Sequence, residues 1–338
     1  MTNYVFWKTN SFAGHVEDGI AAERDGFRSF WLEQTPQPSG IDALTCLAVI
    51  GDRTQTIRLG VSVVPTIPRH PVVMAQQALS TQSACRGRLV LGVGPSHAMF
   101  MEDMYGLSYA HPARQTEEYL SILRPLLHGE PATFSGQVYQ VDLGRPVRLA
   151  GSKASDDRVP DATPPPVTPS APPPVAPSAP PLVLAAMGPK MLSIAGHLAD
   201  GIVPGMAGAD IIDSYFVPAV AKAAAEAGRM PPKITVGLPV ALVSPDRVEA
   251  ARDIIDDKIG VMRALAPYRR MFEAQGIGGP SSISLVGDEA TITAGLRRLA
   301  DAGLDEYVAM CIPVDDGTAR RTQELLGELA RLGSGTSR

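Results

Sequence analysis

Short apolar runs alternate with longer amphipathic ones along most of the chain. Residues 4–7, 29–32, 57–64, 89–93, 182–186, 201–203, 234–243 and 305–312 are brief and rich in Val, Ile, Leu and aromatic side chains, a pattern that predicts buried strands. Between them, residues 14–24, 41–53, 72–84, 191–198, 211–227, 248–272, 291–302 and 318–332 repeat apolar residues at helical spacing, as does the seam Tyr119, Ile122, Leu123 and Leu126. Pro267 marks a break in the stretch 248–272, and residues 132–141 alternate around Ser135 and Gly136 as a β-hairpin would. Strands that alternate with helices imply a parallel sheet with crossover helices. Eight of them is the number at which such a sheet closes, so the expected fold is α/β, a (β/α)8 TIM barrel, with an open doubly wound sheet as the alternative.

One segment interrupts this rhythm. Residues 160–181 hold eleven of the chain's 31 prolines, and VTPSAPP at Val167 recurs as VAPSAPP at Val175. Proline fixes φ and removes the backbone donor, so residues 152–181 are expected to form an extended or disordered proline-rich insertion. The strand-helix alternation resumes beyond it, which argues for a single barrel domain over residues 1–338 with the insertion inside it.

Composition narrows the function classes. With 45% hydrophobic and 19% charged residues the chain has ample material for a core, and a net charge of -5 without a basic block argues against nucleic acid or an anionic membrane as partner. Cys46, Cys85 and Cys311 are odd in number and lie in apolar or helical segments, as inert buried thiols in a reducing compartment do. The first residues lack a basic region followed by an apolar stretch, and no later run reaches the length of a membrane span, so the expected location is the cytoplasm.

In a barrel of this kind the chemistry sits in the loops that follow the strands. Those loops begin at Gln34 and cover residues 62–66, 94–97, 186–190 and 204–208; several are rich in glycine or small residues just before a helix, where free N-H groups and the helix dipole suit the phosphate of a cofactor. The run Leu89 to Val93 ends among Gly92, Gly94 and Pro95, before Ser96 and His97. It begins like a dinucleotide fingerprint but carries histidine where the third glycine is needed. It also resembles a nucleophile elbow, in which Ser96 would act as a serine hydrolase nucleophile with His197 and Asp200, although such enzymes run serine, acid, histidine along the chain. There is no HExxH, paired CxxC or Walker loop. His97 suits a hydrogen-bonding and a catalytic role equally; His70, before Pro71, suits a structural one.

GRLVLGVGPSH, MYGLSYAHPARQTEEYLSILRPLLHG, PATFSGQVYQV and LVLAAMGPKMLSIAGHLADGIV, in that order, resemble the luciferase-like monooxygenase superfamily, in particular its deazaflavin-dependent actinobacterial oxidoreductases. The resemblance spans nearly all of the chain except the proline-rich insertion. It implies a barrel whose mouth binds coenzyme F420 or flavin mononucleotide (FMN). A non-prolyl cis peptide at Ser62-Val63, followed by Val64, would support the ring; Gly94, Pro95, Ser96 and His97 would lie along the ring and its phosphate chain; Ala186, Met187, Gly188, Pro189 and Lys190 would cradle the phosphate. His97 and Gln34 are then the catalytic candidates, but Gln34 stands where many members carry histidine or aspartate, and an amide is neither acid nor base near neutral pH. The implied activity is hydride transfer between the deazaflavin C5 and a small organic substrate. The alternative is an FMN monooxygenase, in either case with a separate flavin or F420 reductase as the source of reduced cofactor. A homodimer is a further expectation of this resemblance, and a cofactor-binding protein without catalysis is a further alternative because the residues named for the mouth include no strong acid or base.

Overall fold

The computed structural model describes residues 2–5, 11–34, 40–147 and 178–332; for 2–5 it describes the backbone. In chain order the elements are β1 (Thr2–Val5), α1 (Phe12–Arg24), β2 (Ser29–Leu32), α2 (Ala43–Arg53), β3 (Arg58–Pro65), α3 (Pro71–Ala84), β4 (Leu89–Gly94), a π-helical segment Met99–Met104 and α4 (Pro112–Leu127). Then come the hairpin β5 (Ala132–Ser135) and β6 (Gln140–Leu143), β7 (Leu182–Ala185), α5 (Pro189–Leu198), β8 (Gly201–Val203), the single turn α6 (Ala209–Ile211), a second π-helical segment Ile212–Phe216 and α7 (Val217–Glu226). The last part runs β9 (Lys233–Leu242), α8 (Val248–Ile259), α9 (Ala266–Gln275), β10 (Leu285–Gly287), α10 (Glu289–Asp301), β11 (Glu306–Cys311) and α11 (Thr318–Leu332).

Strands pair in parallel in the order β9, β11, β1, β2, β3, β4, β7, β8, and β8 pairs back to β9, so the sheet closes on itself. This is a (β/α)8 barrel. β4 pairs directly with β7, so the hairpin and the proline-rich stretch both fall between neighbouring barrel strands. Residues 148–177, which hold most of the insertion expected over 152–181, lie outside the described residues.

Alternation along each strand sorts the core into two parts. Phe30 and Leu32 of β2, Leu59 and Val61 of β3, and Leu89, Leu91 and Val93 of β4 face the helices and belong to one large buried cluster. Trp31, Val90, Val183 and Val308 face the opposite way and form a separate cluster inside the barrel. All three cysteines are buried and free, and burial pushes the Cys46 and Cys85 thiols up to about 12, the behaviour of packing residues. Among the described residues, no helix is long and apolar enough to cross a membrane.

The break expected at Pro267 in the stretch 248–272 is present: α8 ends at Ile259, a short 3-10 turn follows, and Pro267 lies in the first turn of α9, because proline is tolerated in a first helical turn and excluded from an interior. One element differs from the sequence pattern. Strand β10 is three residues long and adds to the upper end of β9 as an extra strand outside the eight, too short to show alternation in sequence.

The closeness of β3 and β4 depends on glycine. A Cβ on Gly92 would drive into the carbonyl oxygen of Val61, which is backbone and cannot move aside. Gly92→Ala is therefore expected to cost about 3 kcal/mol or more of unfolding free energy, read by urea denaturation, and a loss below about 1 kcal/mol would show that the strands can separate.

Candidate active site

The largest side chain inside the lower barrel is that of Trp31, packed with Val90, Val183 and Val308. Trp31 is 1% exposed, and its indole Nε1 donates to Glu306 Oε1 at 2.7 Å and to Ser29 Oγ at 2.9 Å. The Ser29 hydroxyl donates to the same carboxylate, and Arg58 Nη2 donates to Glu306 Oε2 at 2.9 Å, so the buried acid is fully partnered. The indole lies across Gly60, where any Cβ would collide with the ring. Nothing larger than hydrogen fits there.

Above this plug the inward positions shrink to Gly92 and Gly94 on β4 and Ala185 on β7. A Cβ on Gly94 would lie 2.8 Å from that of Ala185 and 3.0 Å from Val63 Cγ2, and one on Gly92 would lie 3.2 Å from Val63 Cγ1. The Val63 side chain thus leans over both glycines. It does so because the β3 register shifts between Val61 and Val64, where the Ser62-Val63 peptide bond is cis. The result is a small-residue, apolar platform at the mouth of the barrel, with Val63 packed over the glycines.

The loop after β4 is held open in an uncommon conformation. Ser96 has φ +66°, and its carbonyl accepts a 2.7 Å hydrogen bond from the Tyr109 hydroxyl, while Thr66 N donates to Gly94 O at 2.9 Å. His97 follows, its ring 5.9 Å from that of Phe100 and 5.8 Å from that of Tyr268. Burial lowers the His97 pKa, which keeps the imidazole neutral at pH 7. Tyr268 comes from α9 and continues to Phe272, 6.4 Å between ring centroids. A Cβ on Gly205 would lie 2.9 Å from Tyr268 Cε1 and 3.1 Å from Met187 Cε, so the loops after β7 and β8 meet beneath this tyrosine. The Tyr215 hydroxyl donates to Met187 O at 3.3 Å.

Glu33 adds a carboxyl group to this mouth. It stands two residues beyond Trp31, so the pleat carries it to the same side of the chain, and Tyr268 feels its charge. The residue is open to solvent, yet protein surrounds its carboxyl as it would at the bottom of a bowl, and this desolvation pushes its pKa up to about 7. Gln34 faces the other way, its Oε1 accepting from Ala43 N of α2 at 3.2 Å. Gln34 thus serves the start of a helix, and the acid beside it serves the mouth.

On the β7 side, α5 begins at Gly188 with no side chain capping it and Pro189 in its first turn. Among the described residues, no atom beyond its chain neighbours lies within 4 Å of where a Cβ on Gly188 would stand, and Gly188, Pro189 and Lys190 are exposed. Free N-H groups beside open space form a cradle that fits a phosphate. Residues 62–64, 94–97 and 186–190 therefore border one mouth. Ser96 has no triad: His197 Nδ1 is bonded to Ser193 O at 2.8 Å, and Asp200, which precedes β8 at the opposite end of the barrel, is taken by Arg124 and Arg229 at 2.9 and 2.8 Å. The hydrolase expectation has no support in this geometry. Sequence reasoning missed Glu33, whose place two residues after Trp31 was the available signal. It also missed Tyr268, which no local pattern marks because α9 reaches the mouth only through the folding of a long excursion.

Comparison with known proteins agrees with this geometry. The family model described as luciferase-like monooxygenase matches residues 7–306. A putative coenzyme F420-dependent oxidoreductase of Mycobacterium tuberculosis is 35% identical over 139 residues, which is 41% of this chain and 39% of that protein. The match thus spans about two fifths of that curated relative's length. An F420-dependent secondary alcohol dehydrogenase, solved with an F420-acetone adduct, superposes with a TM-score of 0.72 at 19% identity over 97% of each chain. The FMN-bound oxygenating component of 3,6-diketocamphane monooxygenase from Pseudomonas putida gives 0.72 at 16% identity, again over 97% of each. These two likenesses concern the fold.

The raised pKa of Glu33 has a measurable sign. The folded chain keeps a proton that the unfolded chain has already released above about pH 4.5, so this residue's contribution to stability is present on the acid side and lost as pH rises through about 7. Glu33→Gln is expected to lose less melting temperature than the parent between pH 5 and pH 8. Carboxyl carbon NMR should find the Glu33 midpoint near 7, and a midpoint near the ordinary 4.5 would remove it as an acid-base group.

Proposed function

The chain belongs to the luciferase-like monooxygenase family, and from that premise we propose that it is an F420-dependent oxidoreductase acting on a small organic substrate. One observation carries the reading: a small-residue platform covered by Val63 lies above Trp31, next to an uncapped helix start with open space at Gly188. A flat ring fits the first and its phosphate the second. When bound, the deazaflavin supplies a hydride donor or acceptor.

The residues of this chain do the rest. Ser62, Val63, Val64, Gly94 and Pro95 would set the plane of the ring, and Ser96 and neutral His97 would offer hydrogen bonds along its edge. The N-H groups at the start of α5, with Ala186, Met187, Gly188, Pro189 and Lys190, would hold the phosphate against the helix dipole. Glu33, with a pKa of about 7, is poised to give a proton to, or take one from, a substrate oxygen near neutral pH. The plug beneath excludes water from below. In this proposal a separate reductase resupplies reduced cofactor, and the protein pairs as a homodimer.

The test is a pair of fluorescence titrations, one with F420 and one with FMN. Saturable micromolar binding of F420 is expected, and micromolar binding of FMN alone would replace this reading with the two-component flavin monooxygenase. Gly188→Asp places a carboxylate in open space, so the melting temperature should hold while F420 affinity falls by more than about tenfold through charge conflict with the phosphate. Unchanged affinity would overturn the phosphate assignment.

A further inference from the structure

The mouth also carries information about what sits beside the cofactor. Its wall carries an aromatic surface made by Phe100, His97 and Tyr268, with neighbouring ring centroids 5.8 to 5.9 Å apart, and the buried Phe272 backs it from the core. The rim continues it, because Met99, Met104 and Tyr105, on and just after the first π-helical segment, are 43%, 44% and 43% exposed. Exposed apolar side chains that extend an aromatic wall suit an apolar ligand.

Charge in the mouth points the same way. Glu33 is an acid, and it repels an anion when ionised. The arginines of the bordering segments are engaged elsewhere: Arg69 pairs with Asp42, and Arg263 with Asp256 at 2.7 Å. Arg269 and Arg270 follow Tyr268 on other faces of α9 and are exposed. Lys190 lies at the α5 cradle, the place assigned to the cofactor phosphate. Among the described residues of the bordering segments, a substrate phosphate or carboxylate would meet the Glu33 carboxyl group and no arginine set against the aromatic wall to clamp it.

We propose that the mouth takes an uncharged, largely apolar alcohol or ketone, its ring or alkyl body packed on the Phe100, His97 and Tyr268 surface and its oxygen directed to Glu33, and that it discriminates against phosphorylated or carboxylated substrates. The inference rests on the assignment of this mouth as the active site. It deepens that reading by naming the substrate class.

Acetophenone and benzoate form a test pair of nearly equal shape, one neutral and one anionic. Their binding is measured at pH 8 by saturation-transfer NMR and calorimetry on the full chain, without cofactor, with oxidised F420 and with FMN; oxidised cofactor cannot reduce the ketone, so binding is read without turnover. Acetophenone is expected to bind at least about tenfold more tightly than benzoate, and Glu33→Gln should narrow that gap by strengthening benzoate. Tyr268→Ala should weaken acetophenone several-fold, and Phe100→Ala, on a partly exposed segment, gives the same test if Tyr268→Ala does not fold. Benzoate binding as tightly as acetophenone, no acetophenone binding in any cofactor state, or a folded aromatic variant with unchanged affinity would each overturn the proposal. A neutral preference seen in protein that ignores F420 would sink the cofactor assignment alone. F420 binding combined with a benzoate preference would sink the substrate class alone.

Discussion

The site depends on how Trp31 fills the barrel. The indole can lie across the axis only because Gly60 leaves room for it, and it stays there because its N-H is tied to the buried Glu306 carboxylate. That acid is bearable inside the barrel because Ser29, Trp31 and Arg58 all donate to it. One large side chain at the lower level lets the next level up be glycine and alanine without leaving a void through the whole core. The platform at the mouth is set by what stands below it as much as by the small residues that form it.

From that arrangement the electrostatics follow. A carboxyl group two residues beyond the plug comes within electrostatic reach of Tyr268, and desolvation between the walls of the mouth makes its charged form costly. The same walls keep His97 neutral and raise the hydroxyl of Tyr268. A protonatable acid near neutral pH, a neutral imidazole and a helix start without a cap thus share one opening. Their combination allows a cofactor's phosphate to be held at one edge and a substrate's proton to be managed at another.

Much of this was legible from the residues. All eight barrel strands were visible as short apolar runs, since a strand covered on both sides reads as apolar throughout, and the glycine-rich breaks after them marked the loops of the mouth. The Ser62-Val63 cis bond was expected from family resemblance and is present. Gln34 and Glu33 show where such reading slips by one residue. The break after β2 drew attention to Gln34, whereas the alternation that begins at Ser29 and Trp31 leads on to Glu33. Tyr268 was out of reach in a different way, because its ring meets His97 across 171 residues of chain and nothing near it in sequence records that meeting.

Sequence by itself determined the architecture, the level at which the barrel would open, and the glycine at Gly188 that frees the start of α5. These are local matters of period, size and backbone freedom, and each is written within a few residues. Tertiary structure decided which side of the chain Glu33 takes, that Val63 leans over Gly92 and Gly94, that Asp200 belongs to two arginines and not to Ser96, and that α9 supplies an aromatic wall. Those facts depend on register between strands and on where distant segments pack, and a residue's identity carries no record of its partner until the barrel closes.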